Sequence, residues 1–227
     1  IKSYNMSVLI FIDQSERKIK KSSLEALTYG ADVAKQLGTT AEAIVLGTVS
    51  EDLAALGKYG VSKIHQVSNA ALNNVDAQVY ASVISESATA CGASVIVFSH
   101  NQTGKAVAAR VAAKLKAGLV AGACALPDTS NGFSVKKTVF SGKAYAHVNI
   151  LSAVKVISLN PNSYKPVATE GTAAVEALAV TVNEPKVKIT AVNKITGEVP
   201  LTEADIVVSG GRGLKGPEHW GILLDLA

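Results

Sequence analysis

Residues 94–105 read SVIVFSHNQTGK. SVIVFS (94–99) is an apolar run with the length of a buried strand. The polar turn that follows carries one glycine, and Val107, Val111 and Leu115 then recur at helical spacing, with Lys105, Arg110 and Lys114 outside the stripe. Strand, turn and amphipathic helix in immediate succession form the repeating unit of a parallel α/β sheet. The unit recurs upstream. Asp76 is placed to cap a helix carrying Val79, Val83, Ile84 and Ala88, which stops near Gly92. KIHQV (63–67) reads as a strand, a short helix is expected over 51–57, and TAEAIVLG (40–47) reads as another strand. Before it, Ser22-Ser-Leu-Glu25 has the form of a capping box, and Leu24, Leu27, Ala31 and Ala34 make a helical stripe ending at Gly38. SVLIFI (7–12) is the first strand.

This alternation predicts an α/β fold of three layers, a mostly parallel sheet covered on both faces and joined by right-handed crossovers. After Gly118 the helices stop. GLVAGACAL, FSVKKTVF, KAYAHVNI and AVKVISL are four strand-like segments separated by turn signals at 128–132 and 141–142, so an antiparallel or mixed extension of the sheet is expected. Residues 160–175 are polar, with two prolines, and read as a loop. Residues 176–193 read as extended strands broken at Glu184-Pro185. A second beginning follows: LTEAD (201–205) leads into IVVSGGRG, read as a buried strand ending in a glycine-rich turn, and then into a helix with Leu223, Leu224 and Leu226. One strand and one helix cannot bury their apolar faces alone. This segment is therefore expected either to pack on the first domain or to begin another.

Composition bounds the function. The 227 residues are 48% hydrophobic and 18% charged, which excludes a disordered chain. No apolar run approaches the ~18–20 residues of a membrane span, so no stable membrane insertion is expected. The net charge is +4, but arginine stands only at 17, 110 and 212, and no cluster of arginines with stacking aromatics marks a nucleic-acid surface. The two cysteines, Cys91 and Cys124, lie in Ala/Gly-rich patterns and read as small, buried, reduced hydrophobes, consistent with a reducing compartment. No signal peptide is visible, and Met6 is a candidate native start.

Side-chain catalysis has little support. His65, His100, His147 and His219 form no HxH or HExxH spacing and read as surface or satisfied histidines. There is no GxSxG, Walker A or CxxC motif, and Glu51-Asp52 falls at an expected helix start. Two turns could hold an anion. SHNQTGK (99–105) sits between strand and helix, where helix N–H groups attract phosphate, although a plain helix cap at Asn101 or Thr103 is the favoured reading. Gly211-Arg-Gly-Leu-Lys-Gly216 matches GxGxxG literally. Gly210, Gly211 and Gly213 permit close backbone approach, and Arg212 offers a planar fork to phosphate oxygens. The alternative there is a tight turn with an exposed arginine.

The segment LTEADIVVSGGRGLKGPEHWGILLDLA closely resembles the start of the flavin domain in the alpha subunit of electron transfer flavoproteins. SVLIFIDQSERKIKKSSLEALTYGADVAKQLG, GKAVAARVAAKLKAGLVAGACAL and KTVFSGKAYAHVNI resemble the same family, so the likeness spans nearly the whole chain. It implies residues 1–185 as an N-terminal domain like the adenine nucleotide alpha hydrolases, 186–202 as a linker, and 203–227 as the beginning of a flavodoxin/DHS-like FAD-binding domain. It implies FAD as cofactor, contacted by Arg212 with Gly211 and Gly213 setting its backbone. Gly216 departs from the family's usual GGRGLKSGE, so the literal GxGxxG is taken as accidental.

The implied role is an electron carrier without its own catalytic side chains. It would pair with an AMP-bearing beta subunit, take electrons from acyl-CoA and related dehydrogenases and pass them to electron transfer flavoprotein-quinone oxidoreductase, in the bacterial cytoplasm or the mitochondrial matrix. The family continues beyond DLA, so the chain is expected to be a fragment that does not hold FAD tightly. The rival reading is a stand-alone adenine-nucleotide-binding module built on the 99–105 turn.

Overall fold

A computed structural model of the chain describes residues 7–187, 189–191, 201, 204 and 206–227. The chain forms two compact units, residues 1–189 and 190–227. In order, the elements are β1 (Ser7–Ile12), β2 (Gln14–Ser15), β3 (Lys18–Ile19), α1 (Lys21–Gln36), β4 (Thr40–Leu46), β5 (Lys63–Val67), α2 (Ala77–Ala90), β6 (Ala93–Ser99), α3 (Gln102–Leu115), β7 (Gly118–Ala123), β8 (Ser134–Val139), β9 (Ala144–Asn149), β10 (Lys155–Leu159), β11 (Ala174–Ala177) and α4 (Gly221–Leu226). Apart from the β2–β3 hairpin, the strands form one sheet in the order β11-β5-β4-β1-β6-β10-β7-β8-β9.

All six residues of β1 are buried, because both faces of the sheet are covered. Val8, Ile10 and Ile12 join Ala26, Leu27 and Val33 of α1 in one core layer. Leu9 and Phe11 point the other way, into the layer made with Val79, Val83 and Ile84 of α2 and Val107 and Val111 of α3. Each such side chain contributes about 1.5–3 kcal/mol by leaving water. The three-layer, mostly parallel fold expected from the sequence is thus present. Asp76 caps α2 as predicted, accepting the amides of Gln78 and Val79, and Gly38 and Gly92 end α1 and α2 at φ of 64°.

The mixed extension is also present, with a topology the linear pattern does not reveal. β7, β8 and β9 run antiparallel to one another in turn, whereas β10 returns to lie between β6 and β7, parallel to both.

Several local expectations are corrected. The Ser22–Glu25 capping box does not form: α1 begins at Lys21, with Lys20 at the cap position and no side-chain cap. Ser22 Oγ instead accepts the side-chain amide of Asn101 at 3.3 Å, and Glu25 accepts the backbone amide of Asn162. Long-range partners have claimed the groups that a local cap would use. The short helix expected over 51–57 is a 3₁₀ turn at Ala54–Tyr59. The strand lies earlier than the stretch expected over 176–193: among the described residues, pairing covers Ala174–Ala177, which overlaps the end of the expected 160–175 loop and extends the sheet beside β5. Residues 188, 192 and 193 lie outside the described residues.

The buried strand expected at IVVSGGRG is absent. Residues 206–211 have no regular structure, and Ile206 is 84% exposed. Among the described residues of 190–227 there is no second strand to pair with, and an isolated strand leaves its backbone groups unsatisfied. Residues 202, 203 and 205 of the LTEAD segment, most of the expected 186–202 linker, and Met6 lie outside the described residues. Among the described residues, no helix is long and apolar enough to cross a membrane.

Candidate functional site

The chain leaves β1 through α1 on one face of the sheet, while α2 and α3 pack on the other, and β1 and β6 are neighbours. Their carboxyl ends therefore form the point where the winding reverses, the usual ligand crevice of an open α/β sheet. Asp13 follows β1 there and is 2% exposed. Its Oδ2 accepts Lys20 Nζ at 2.7 Å and Asn101 Nδ2 at 2.8 Å. Asn101, in turn, caps α3 by accepting the Gly104 amide at 2.9 Å. Ser99 Oγ donates to the carbonyl of Ser22 at 2.6 Å.

The 99–105 turn is thus filled from within. Its cap is Asn101, one of the two positions predicted, and Lys20, the cation beside it, is held by Asp13. A side chain at Gly104 would collide with the Ser99 carbonyl, so the turn is packed directly onto the strand end. Beside it, His100 Nδ1 lies 2.8 Å from Ser158 Oγ. Burial, with Lys105 and Lys137 adding, holds His100 below its ordinary value.

The second predicted turn lies in the unit 190–227 and is its opposite in character. Arg212–Leu214 form a single 3₁₀ turn, closed by the Leu214 amide donating to the Gly211 carbonyl at 3.1 Å and the Lys215 amide to Arg212 at 3.1 Å. Arg212 is exposed. Gly210 is closed off by Leu214 and Leu223, but the space where a side chain would stand at Gly211 or Gly213 is empty to 4 Å. The structure leaves the backbone on either side of Arg212 open to an approaching group. The carboxylate of Glu218 blocks the same space at Gly216, the third glycine of the literal motif.

A third constellation was not foreseen. His65 in β5 is buried, and its Nε2 lies 2.6 Å from Glu42 Oε2 in β4 and 3.5 Å from Cys91 Sγ, the residue closing α2. These partners, Cys91 first and Glu42 second, raise His65 to about 9 against the opposing effect of burial. His65 is therefore neither a surface histidine nor a fully satisfied one, since its Nδ1 is buried with no partner among the described residues. Cys91 and Cys124 are both free, as expected, but only half-buried. The available signal was a charged and a polar residue at core positions of two parallel strands. Nothing local joins residues 42, 65 and 91.

Comparison with known proteins adds an independent line. Residues 8–184 match the family model described as Electron transfer flavoprotein domain. The electron transfer flavoprotein subunit alpha of Syntrophomonas wolfei is 30% identical over 222 residues, 96% of this chain and 69% of the relative. That of Thermoanaerobacterium thermosaccharolyticum is 28% identical over 228 residues, covering 97% of this chain and 69% of the relative. Among solved structures, a universal stress protein from Archaeoglobus fulgidus aligns with 48% of this chain and 87% of its own at 18% identity. The TM-score of that alignment is 0.32.

Proposed function

The chain belongs to the electron transfer flavoprotein family, and from that premise we propose that it is an alpha subunit whose Arg212 turn contacts FAD while the larger unit serves as a docking platform. The observation that carries this reading is the open backbone at Gly211 and Gly213 flanking an exposed arginine. These residues fit a flavin nucleotide. The guanidinium presents paired donors to a pyrophosphate or to a flavin carbonyl oxygen, and neither neighbour has a side chain to hold the ligand away. FAD, when bound, accepts and releases the electrons. The chain's own residues position it, so no acid–base side chain is required.

On this reading the sheet domain contributes surface rather than chemistry. Its partner would be an electron transfer flavoprotein beta subunit, its electron donors acyl-CoA and related dehydrogenases, and its acceptor a quinone oxidoreductase. The proposed divisions are those stated from the sequence: 1–185, a linker over 186–202, and 203–227. The proposed location is the bacterial cytoplasm or the mitochondrial matrix. The rival adenine-nucleotide module is disfavoured because Asn101, Lys20 and Asp13 already satisfy one another at the 99–105 turn.

The test is a titration of FAD into the 227-residue chain, followed by quenching of flavin fluorescence. Weak, salt-sensitive binding is expected, and Arg212→Ala should lower it at least tenfold. Equal binding by the wild-type and Arg212→Ala chains would overturn the assignment of Arg212.

A further inference from the structure

Glu42, His65 and Cys91 take no part in the crevice or in the glycine turn. The parity of the strands directs Glu42 and His65 to the same sheet face as Ile44 and Val67, the face that α2 and α3 cover. There the end of α2 brings Cys91 to meet them, and the three ligand atoms lie within 4.8 Å of one another. We propose that this trio is a binding site for a borderline-soft divalent transition-metal ion of the zinc type, held by three protein ligands with water in the fourth position.

The donor set selects the ion. A thiolate, an imidazole and a single carboxylate suit zinc and its neighbours, whereas magnesium and calcium require oxygen ligands. The geometry is close to what is needed. Standard zinc–ligand lengths in a tetrahedron put nitrogen and sulfur about 3.5 Å apart and nitrogen and oxygen about 3.3 Å apart. The His65–Cys91 separation of 3.5 Å already matches, and only Glu42 Oε2, now 2.6 Å from Nε2, must swing outward. Glu42 and Cys91 are half-buried, so an ion can reach them from solvent.

The charges agree as well. A carboxylate and a thiolate neutralise a dication, so the occupied site carries no net charge into a partly buried position. α2 ends at this point, and its last turn contains no basic residue to offset the negative end of the helix dipole. That end repels a bare thiolate and attracts a cation. Lys63, the nearby ammonium, is drawn aside to Glu176 at 3.1 Å.

Binding is a displacement of protons without oxidation. The Cys91 thiol proton goes to solvent. The proton on Nε2, the nitrogen facing Glu42, also goes to solvent, and Nδ1 keeps its own. Because Nδ1 has no acceptor among the described residues, the outer support that fixes most metal-bound histidines is missing. Loss of such support typically weakens a site by about 10–100-fold, so an exchangeable site rather than a permanently loaded structural one is expected.

The experiment uses the untagged chain, stripped by chelator and titrated with cobalt(II), then with zinc(II) as competitor. One cobalt ion per chain should bind, with the intense visible bands of a tetrahedral site and a thiolate-to-cobalt charge-transfer band in the near ultraviolet, both erased by equimolar zinc. Cys91→Ser should abolish the charge-transfer band and lower zinc affinity at least tenfold. Zinc should also protect Cys91 of the wild-type chain from thiol-specific alkylation, which keeps the test decisive even if the variant does not fold. Absence of a thiolate band, no protection of Cys91, or equal zinc binding by wild type and Cys91→Ser would each overturn the proposal.

Discussion

Two turns in this chain follow the same sequence recipe, a glycine and a polar residue after an apolar run, and the structure puts them to opposite uses. At 99–105 the groups at the heart of the turn already have protein partners: Asn101 closes α3, Lys20 and Asn101 converge on Asp13, and Gly104 lies against the strand end. At 210–216 the arginine is exposed and two of its glycine neighbours face empty space. A helix N-terminus at the carboxyl edge of a parallel sheet marks where a ligand could sit. Whether one does depends on whether the protein has occupied that place with its own side chains.

Substituting the same residue type in both regions gives the largest expected contrast. Gly104→Ala forces a methyl group into the Ser99 carbonyl and should cost about 3 kcal/mol in urea unfolding. Gly211→Ala and Gly213→Ala, with nothing to strike, should stay within about 0.5 kcal/mol of wild type. A mild Gly104→Ala would mean that the crevice is loose enough to admit a ligand.

Asp13→Ala leaves Asn101 without one acceptor and Lys20 without its counter-charge. Because Lys20 keeps some contact with solvent, the expected loss is about 2 kcal/mol rather than the full penalty of a buried pair. Chemical denaturation measures it, and an unchanged midpoint would show that the network adds nothing to stability.

The pH dependence of the same crevice is a smaller effect. His100 is held below 6.5 in the folded chain, so the unfolded chain binds more protons between its own value and the folded one. Stability from this group is present above about 6.5 and is lost as pH falls toward the folded value. Unfolding curves across that window should show the decline, and His100→Gln should flatten it. Titration of the imidazole by NMR at or above 6.5 would contradict the burial argument. Calorimetry with AMP or ATP should give no heat of binding at the crevice, and a saturable signal lost in Asn101→Ala would revive the nucleotide-binding reading.

The sequence carries the parallel core well, because continuous apolar runs and helical stripes are local signals, as SVIVFS and the Val107–Val111–Leu115 stripe show. Asp76 was legible because its cap partners are two and three residues away. Ser22-Ser-Leu-Glu25 misled because Ser22 and Glu25 bond to residues 101 and 162 instead of to their own helix. The insertion of β10 between β6 and β7 depends on strand order, which periodicity does not encode. The Glu42–His65–Cys91 cluster depends on it too, since the parallel register of β4 and β5 and the end of α2 bring the three together. Arg212 was picked out by its glycine neighbours and by family resemblance, whereas the strand expected to precede it lacked a pairing partner among the described residues.

The contrast between the two turns is tested most directly by amide chemical-shift mapping of the isotopically labelled chain as FAD is added. Shifts are expected at Gly211, Arg212 and Gly213, with the amides of Asp13, Asn101 and Gly104 unmoved. Shifts at Asn101 and Gly104, with the Arg212 turn silent, would contradict it.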